Sequence, residues 1–115
     1  MAKDTAINNN LNLLCAGTQL VGDIKTEGDI RVDGYVKGTI SLTGRTVIGG
    51  TAHVEGSINS VEVDVAGTVV GDITASGLVS LRKESVVTGN ITTPQLFVEV
   101  GSQFNGVCKM TKIKE

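Results

Sequence analysis

One five-residue unit, apolar-x-Gly-x-apolar, recurs six times, and no other feature constrains the fold as strongly. It reads Leu20-Val-Gly22-Asp-Ile24, Val36-Lys-Gly38-Thr-Ile40, Val54-Glu-Gly56-Ser-Ile58, Val69-Val-Gly71-Asp-Ile73, Val87-Thr-Gly89-Asn-Ile91 and Phe104-Asn-Gly106-Val-Cys108. Successive glycines lie 16, 18, 15, 18 and 17 residues apart. One such unit cannot bury its apolar row alone. Repeats of this length stack so that equivalent rows bury one another in a continuous core.

A second apolar strand sits between successive units, ending in Ile30-Arg-Val32, Val47-Ile48, Val63-Asp-Val65, Val79-Ser-Leu81 and Val98-Glu-Val100. From the apolar residue closing each glycine unit to the end of this strand is 8, 8, 7, 8 and 9 residues. From there to the next unit is 4, 6, 4, 6 and 4. Side chains two apart on a strand share a face, so each coil presents its branched residues inward and its polar residues outward. Coils then pair as parallel strands about 4.8 Å apart, giving a body roughly 27 Å long. The repeated glycine lets the chain turn tightly beside the core. A barrel or sandwich of hairpins would need repeated Asn-Gly or Asp-Gly turns, and only Asp33-Gly34 fits that signature. The expectation is an all-β, single-domain parallel β-helix (solenoid) of about six coils over residues 15–110, between a flexible tail at 1–14 and a short tail at 111–115.

Composition agrees. Val, Ile and Thr supply 38 of 115 residues, against three aromatics and one proline. Such a chain fills a narrow core of similar branched side chains more readily than a wide sandwich. Residues 11–108 carry six Lys/Arg and ten Asp/Glu, so no basic face offers itself to nucleic acid. Two cysteines are too few for a disulfide framework and fit a reducing compartment. Residues 1–10 lack a secretory apolar region, and no apolar run approaches the ~18 residues of a membrane span.

Catalytic chemistry finds no foothold. His53 is the one histidine, and as a neighbour of inward Val54 it points to solvent. One histidine and two distant cysteines do not make a zinc site. Asp23, Glu27, Asp29 and Asp33 alternate with core positions and read as a solvated acidic face. Gly49-Gly50 lacks the Lys-Ser/Thr of a phosphate loop. The expectation is no enzyme, no cofactor, no metal and no nucleotide. The rival is a left-handed hexapeptide-repeat acyltransferase-like trimer, which needs a strict 18-residue coil that the spacings 15, 16 and 17 break. A non-catalytic binding module is the other alternative.

The string from Gly22 to Gly34, with Val36-Lys-Gly-Thr-Ile40 after it, resembles the opening coil of bactofilins. Val47-Ile48-Gly49 followed by Val54-Glu-Gly-Ser-Ile58 resembles their middle coil, and Gly101 to Met110 their last. The resemblance covers about residues 17 to 110. It implies a right-handed β-helix of triangular cross-section in a bacterial cytoskeletal protein. It further implies nucleotide-independent, non-polar filaments, cytoplasmic or peripheral at the cytoplasmic face of the inner membrane through an N-terminal tail. Implied roles are a scaffold for cell shape or for protein localisation, with wall-modifying enzymes among the scaffolded partners. The tail here departs from that pattern, being rich in Asn with one Lys.

Two sets of residues are singled out. A solenoid without polar caps leaves strand edges and an apolar layer open at each end. The self-association interface is therefore placed at the ends, in Phe104, Val107 and Cys108 at one and Leu20 at the other. Phe104 is the one aromatic in a slot otherwise held by Leu or Val, placed for head-to-head contact. Leu11, Leu13 and Leu14, beside Lys3, are the candidate membrane contacts. Cys15 and Cys108 fall at opposite ends of the body and are expected not to pair.

Overall fold

The structure, a computed structural model, describes residues 11–111. Within them every element is a strand and every strand pairing is parallel. Eleven strands form one continuous sheet: β1 Leu11–Leu14, β2 Gln19–Val21, β3 Ile24–Thr26, β4 Asp29–Val32, β5 Tyr35–Leu42, β6 Arg45–Ile48, β7 His53–Val65, β8 Thr68–Leu81, β9 Val86–Thr93, β10 Gln95–Val98 and β11 Gln103–Met110. The expected parallel solenoid is what the chain forms. The paired body begins at Leu11, four residues before the expected start at residue 15, and residues 1–10 and 112–115 lie outside the described part.

Each coil has three sides. The first runs up to the repeated glycine, as in Tyr35–Lys37. The second follows it, as in Thr39–Leu42, and the third is the intervening strand, as in Arg45–Ile48. β2 and β3, interrupted at Gly22-Asp23, both pair with β5, which spans two sides and bends at Gly38. Third sides come from β1, β4, β6, the end of β7, the end of β8, and β10, giving six complete coils.

The repeated glycine is required for two reasons. At Gly71 the backbone has φ +139, which L side chains rarely adopt, and an added Cβ would lie 1.7 Å from the Gly56 carbonyl oxygen. The same overlap recurs from Gly38 to Gly106, because each glycine lies over the one in the coil before it. Gly22, in the first coil, has the same backbone sign and, among the described residues, nothing within 4 Å of such a Cβ.

The core is a set of vertical columns. Leu20, Val36, Val54, Val69, Val87 and Phe104 form one. Ile24, Ile40, Ile58, Ile73, Ile91 and Cys108 form the next. On the third side Ile30, Thr46, Val63, Val79 and Leu96 make a third column, and Val32, Ile48, Val65, Leu81 and Val98 a fourth. In the middle coils these residues are fully buried. Thr46 is the polar member among them, and its Oγ1 has no hydrogen-bond partner among the described residues.

Coil length varies only at two corners. The corner between third and first sides spans six residues at Leu14–Leu20, Ile48–Val54, Leu81–Val87 and Val98–Phe104, and four at Val32–Val36 and Val65–Val69. The long form is a turn closed by an i to i+3 hydrogen bond, such as Ser85 N donating to Arg82 O at 3.0 Å. The corner between second and third sides spans three or four residues. Where it is one short, at Ser60–Val63 and Thr93–Leu96, a hydroxyl fills the inward slot and reaches backbone carbonyls. Ser60 Oγ lies 2.8 Å from Gly44 O, and Thr93 Oγ1 lies 2.9 Å from Gln95 O. A register shift at Ser60/Glu62 marks the first of these.

One boundary differs from the sequence reading. The last third-side strand ends at Val98, not Val100. Ser102 N donates to Glu99 O at 3.1 Å, so the turn has begun by Glu99, and Val100 stands 91% exposed on it.

Candidate functional site

The two ends of the solenoid are where the core is unfinished. Slots that are fully buried in the middle coils hold only partly buried side chains there: Leu14, Leu20 and Ile24 at the N-terminal end, and Leu96, Phe104 and Cys108 at the C-terminal end. Each of these packs against the core on one side and, among the described residues, meets no further coil on the other. β1 pairs only with β4 and β11 only with β9, so one backbone edge of each terminal strand is free of strand pairing among the described residues. Such edges template another strand.

The singled-out residues do not all share this geometry. Phe104, Cys108 and Leu20 occupy end slots of the columns. Val107 lies between inward positions and points outward from the second side, 66% exposed. The leucine trio is divided by strand alternation. Leu14 pairs in register with Val32 and packs on the core, whereas Leu13 pairs with Arg31 and points out, 57% exposed. Leu11 pairs with Asp29. Cys15 lies in the first coil and Cys108 in the sixth, both as free thiols. Cys108 Sγ instead contacts Met110 Sδ at 3.6 Å.

Sequence reasoning missed how unequal the ends are. At the C-terminal end Val98 and Met110, also in inward slots, join Leu96, Phe104 and Cys108, so the strand slots of the layer are all apolar, and Ser102 at the corner turns its hydroxyl to Glu99 O at 2.8 Å. At the N-terminal end Asn12 takes the slot held by Ile30 in the next coil, and its Nδ2 donates to Thr26 Oγ1 at 3.2 Å and Asp29 O at 3.3 Å. The signal was present, since Asn12 and Leu14 are two apart, but three leucines in four residues masked it.

The remaining surface holds few groups suited to chemistry. His53 is half-exposed on the first side, its ring stacked on Tyr35 with centroids 5.5 Å apart and its Nε2 3.1 Å from Glu55 Oε2. Partial burial, helped by Glu55, pushes the Tyr35 phenol above its ordinary value. A shallow depression of about 240 Å³ lies beside this pair, lined by Thr18, Gln19, Asp33 and Thr51. Among the described residues no three His, Cys, Asp or Glu side chains gather closely enough to hold a metal, and no helix is long and apolar enough to cross a membrane. The geometry offers surfaces for contact, the largest unfinished ones being the two ends.

Known proteins share this arrangement. Residues 12–109 match the family described as "Bactofilin: Polymer-forming cytoskeletal". The chain is 36% identical to bactofilin BacO of Myxococcus xanthus (strain DK1622) over 85 residues, covering 74% of this chain and 68% of BacO. It is 25% identical to bactofilin BacP of the same organism over 115 residues, covering 98% of this chain but only 48% of BacP. Among solved structures it is similar to the cytoskeletal bactofilin BacA determined by solid-state NMR, at 40% identity and TM-score 0.79, over 92% of this chain and 99% of BacA. It is also similar to the Thermus thermophilus bactofilin seen by cryo-EM in double helical filaments, at 28% identity and TM-score 0.75, over 84% of this chain and 98% of that one. With a six-coil parallel solenoid open at both ends and a family match across nearly all of it, this chain belongs to the bactofilin family of polymer-forming cytoskeletal proteins.

Proposed function

We propose that this chain polymerises end to end, without nucleotide, into non-polar filaments that act as a scaffold for cell shape or for placing other proteins. The observation that carries this reading is the unfinished core. Columns closed in the middle coils open at both ends of the described body, and the strand slots of the C-terminal layer are all apolar. Docking a second end removes that apolar surface from water, at about 25 cal/mol per Å², and gives the free strand edges partners. Phe104 is central to the C-terminal layer, with Cys108 beside it, and Leu20 has the matching position at the other end. The Thermus thermophilus relative assembles into double helical filaments, which supports self-association here.

The decisive variant is Phe104→Arg. It places a charge in an end slot without disturbing the five coils beneath. Purified wild-type protein without nucleotide should show filaments by negative-stain microscopy and sediment at high speed. Phe104→Arg should stay folded by circular dichroism and remain in the supernatant. Normal filaments from this variant would place the contact elsewhere.

Attachment to the inner membrane is the second part of the proposal, supported by Leu13 pointing outward at the N-terminal end. One short apolar cluster binds lipid only weakly, but a filament would multiply it. Because β1 belongs to the solenoid, the test removes residues 2–10 and separately makes Leu13→Asp. Both variants should lose flotation with liposomes while still forming filaments. Equal flotation by all three proteins would sink the idea.

A further inference from the structure

The three sides of the solenoid carry different chemistry on their outer surfaces. The third side and its neighbouring corner hold ion pairs: Arg31 with Asp33 at 2.9 Å, Arg45 with Glu62 at 3.6 Å, and Arg82 with Asp64 at 2.9 Å. The first side carries the Tyr35–His53 stack, Lys37 and Glu55, with Val70 exposed beside them. The second side is built otherwise. Its middle coils present Thr39, Ser41, Ser57, Asn59, Thr74 and Thr92, all short and uncharged, in two straight columns. Asp72 is the one charge among them, and it accepts a hydrogen bond from the Asn90 amide at 3.3 Å.

A face of short and, in its middle coils, almost wholly neutral side chains at the strand spacing has little charge to hold off a like face. Stacked sheets that interdigitate such residues form dry, tight contacts. Long charged side chains, which ordinarily prevent this, stand only at the ends of the face, as Lys25 in the first coil and Lys109 in the sixth, and the short carboxylates of Asp23 and Asp72 each accept a backbone N–H of the next coil, from Thr39 and Asn90.

We propose that this second side is the face through which two copies, each within its own filament, lie side by side. The proposal rests on the filament reading above. Area gives the reason. A run of four residues over six coils measures roughly 13 by 29 Å. Two such faces bury on the order of 750 Å², below the ~1,200 Å² typical of stable complexes. Monomers therefore do not pair by this face, whereas filaments add the contact at every subunit.

Charge selects an orientation. Asp23 and Lys25 lie on separate columns of the face. Rotation about an axis along the solenoid sets each copy's Asp23 opposite the other's Lys25. Rotation about an axis along the strands keeps each column facing itself and brings Lys25 against Lys109. The first arrangement, with the coils running in the same direction, is the favoured one.

Ser57→Glu combined with Asn59→Glu tests the face. These residues are remote from both ends, so the variant should sediment at high speed as wild type does. Its low-speed pellet, which collects bundles, should fall several-fold, and micrographs should show separate filaments. The matched control, Thr68→Glu with Val70→Glu on the first side, should bundle normally. Wild-type filaments that never associate laterally, or a Ser57/Asn59 variant that bundles as wild type, would overturn the proposal. Absence of wild-type filaments would instead overturn the filament reading. Orientation is tested at low salt, where exposed charges are least screened. Asp23→Lys should reduce bundling and the exchange Asp23→Lys/Lys25→Asp should restore it. Bundling unaffected by Asp23→Lys, or no restoration by the exchange, would overturn the same-direction arrangement.

Discussion

The middle coils and the terminal coils are built from the same slots, yet the slots behave differently. Ile58 is fully buried between Ile40 and Ile73, whereas Ile24 and Cys108, at the two ends of that column, have one neighbour each and remain partly open. What a column position contributes is therefore set by how many coils flank it. The ends of the described solenoid are ordinary core lacking its second neighbour, and the proposed end-to-end contact would supply one. The ends also differ from each other. The N-terminal layer places Asn12 and Thr26 in inward strand slots, while every strand slot of the C-terminal layer is apolar.

Substitutions can break this contrast in order of size. Gly71→Ala should be the most damaging, because its Cβ would sit on a carbonyl oxygen that the sheet holds in place. A loss above about 4 kcal/mol is expected. Gly22→Ala, with open space around it, should lose only the about 1–2 kcal/mol of an unfavourable backbone. Thermal melts showing equal losses would refute the idea that the coil below is what demands glycine. Next, Ile58→Ala should cost about 2–5 kcal/mol, and Ile24→Ala distinctly less, by denaturant unfolding. Thr46→Val should raise stability by about 1–3 kcal/mol, because it removes a buried hydroxyl that has no partner. A destabilised Thr46→Val would mean that the hydroxyl is satisfied after all.

Two smaller effects sharpen the picture. At the third position of the long turns the end coils use Gly17 and Gly101, and a middle coil uses Glu84 at φ 72°. Glu84→Gly should be neutral or stabilising by up to about 1 kcal/mol, and Glu84→Val destabilising. Finally, Tyr35 is the chain's one tyrosine, so its phenolate band reports a single site. Its pKa is raised in the folded state, by burial first and Glu55 second. The neutral form is thus the stabilised one. That contribution is complete below the ordinary value of about 10 and lost as pH rises through the folded value. Alkaline titration should place the midpoint above that of the unfolded chain, and Glu55→Gln should lower it.

Much of this architecture was legible because a solenoid writes its register into the sequence. The glycine units fixed the first two sides of every coil, including Phe104 and Cys108 in their columns. The third side was read less well. Val47 is apolar yet faces outward, and Thr46 is polar yet faces inward. Branched residues suit either face of a fully paired strand, so apolar character alone does not give the parity there. Val100 extended the alternation of Leu96 and Val98 past the point where the turn begins, a boundary set by one backbone hydrogen bond. The end surfaces were legible as to place but not as to polarity, because Asn12 sits inside a leucine cluster.

The stacking of each coil on the one before has a kinetic consequence. Paired residues lie about 17 residues apart everywhere in the body, so the separation is about 0.15 of the chain length, a value typical of mixed α/β domains rather than sandwiches. Every new coil closes a loop of the same modest size against a template that already exists. The first pair of coils, which has no template, should be the slow step, and growth from either side of it should be downhill. Adding a coil within one chain and adding a chain at an open end bury the same kind of layer. Preformed ends should therefore seed both reactions, and short fragments of the solenoid should poison them.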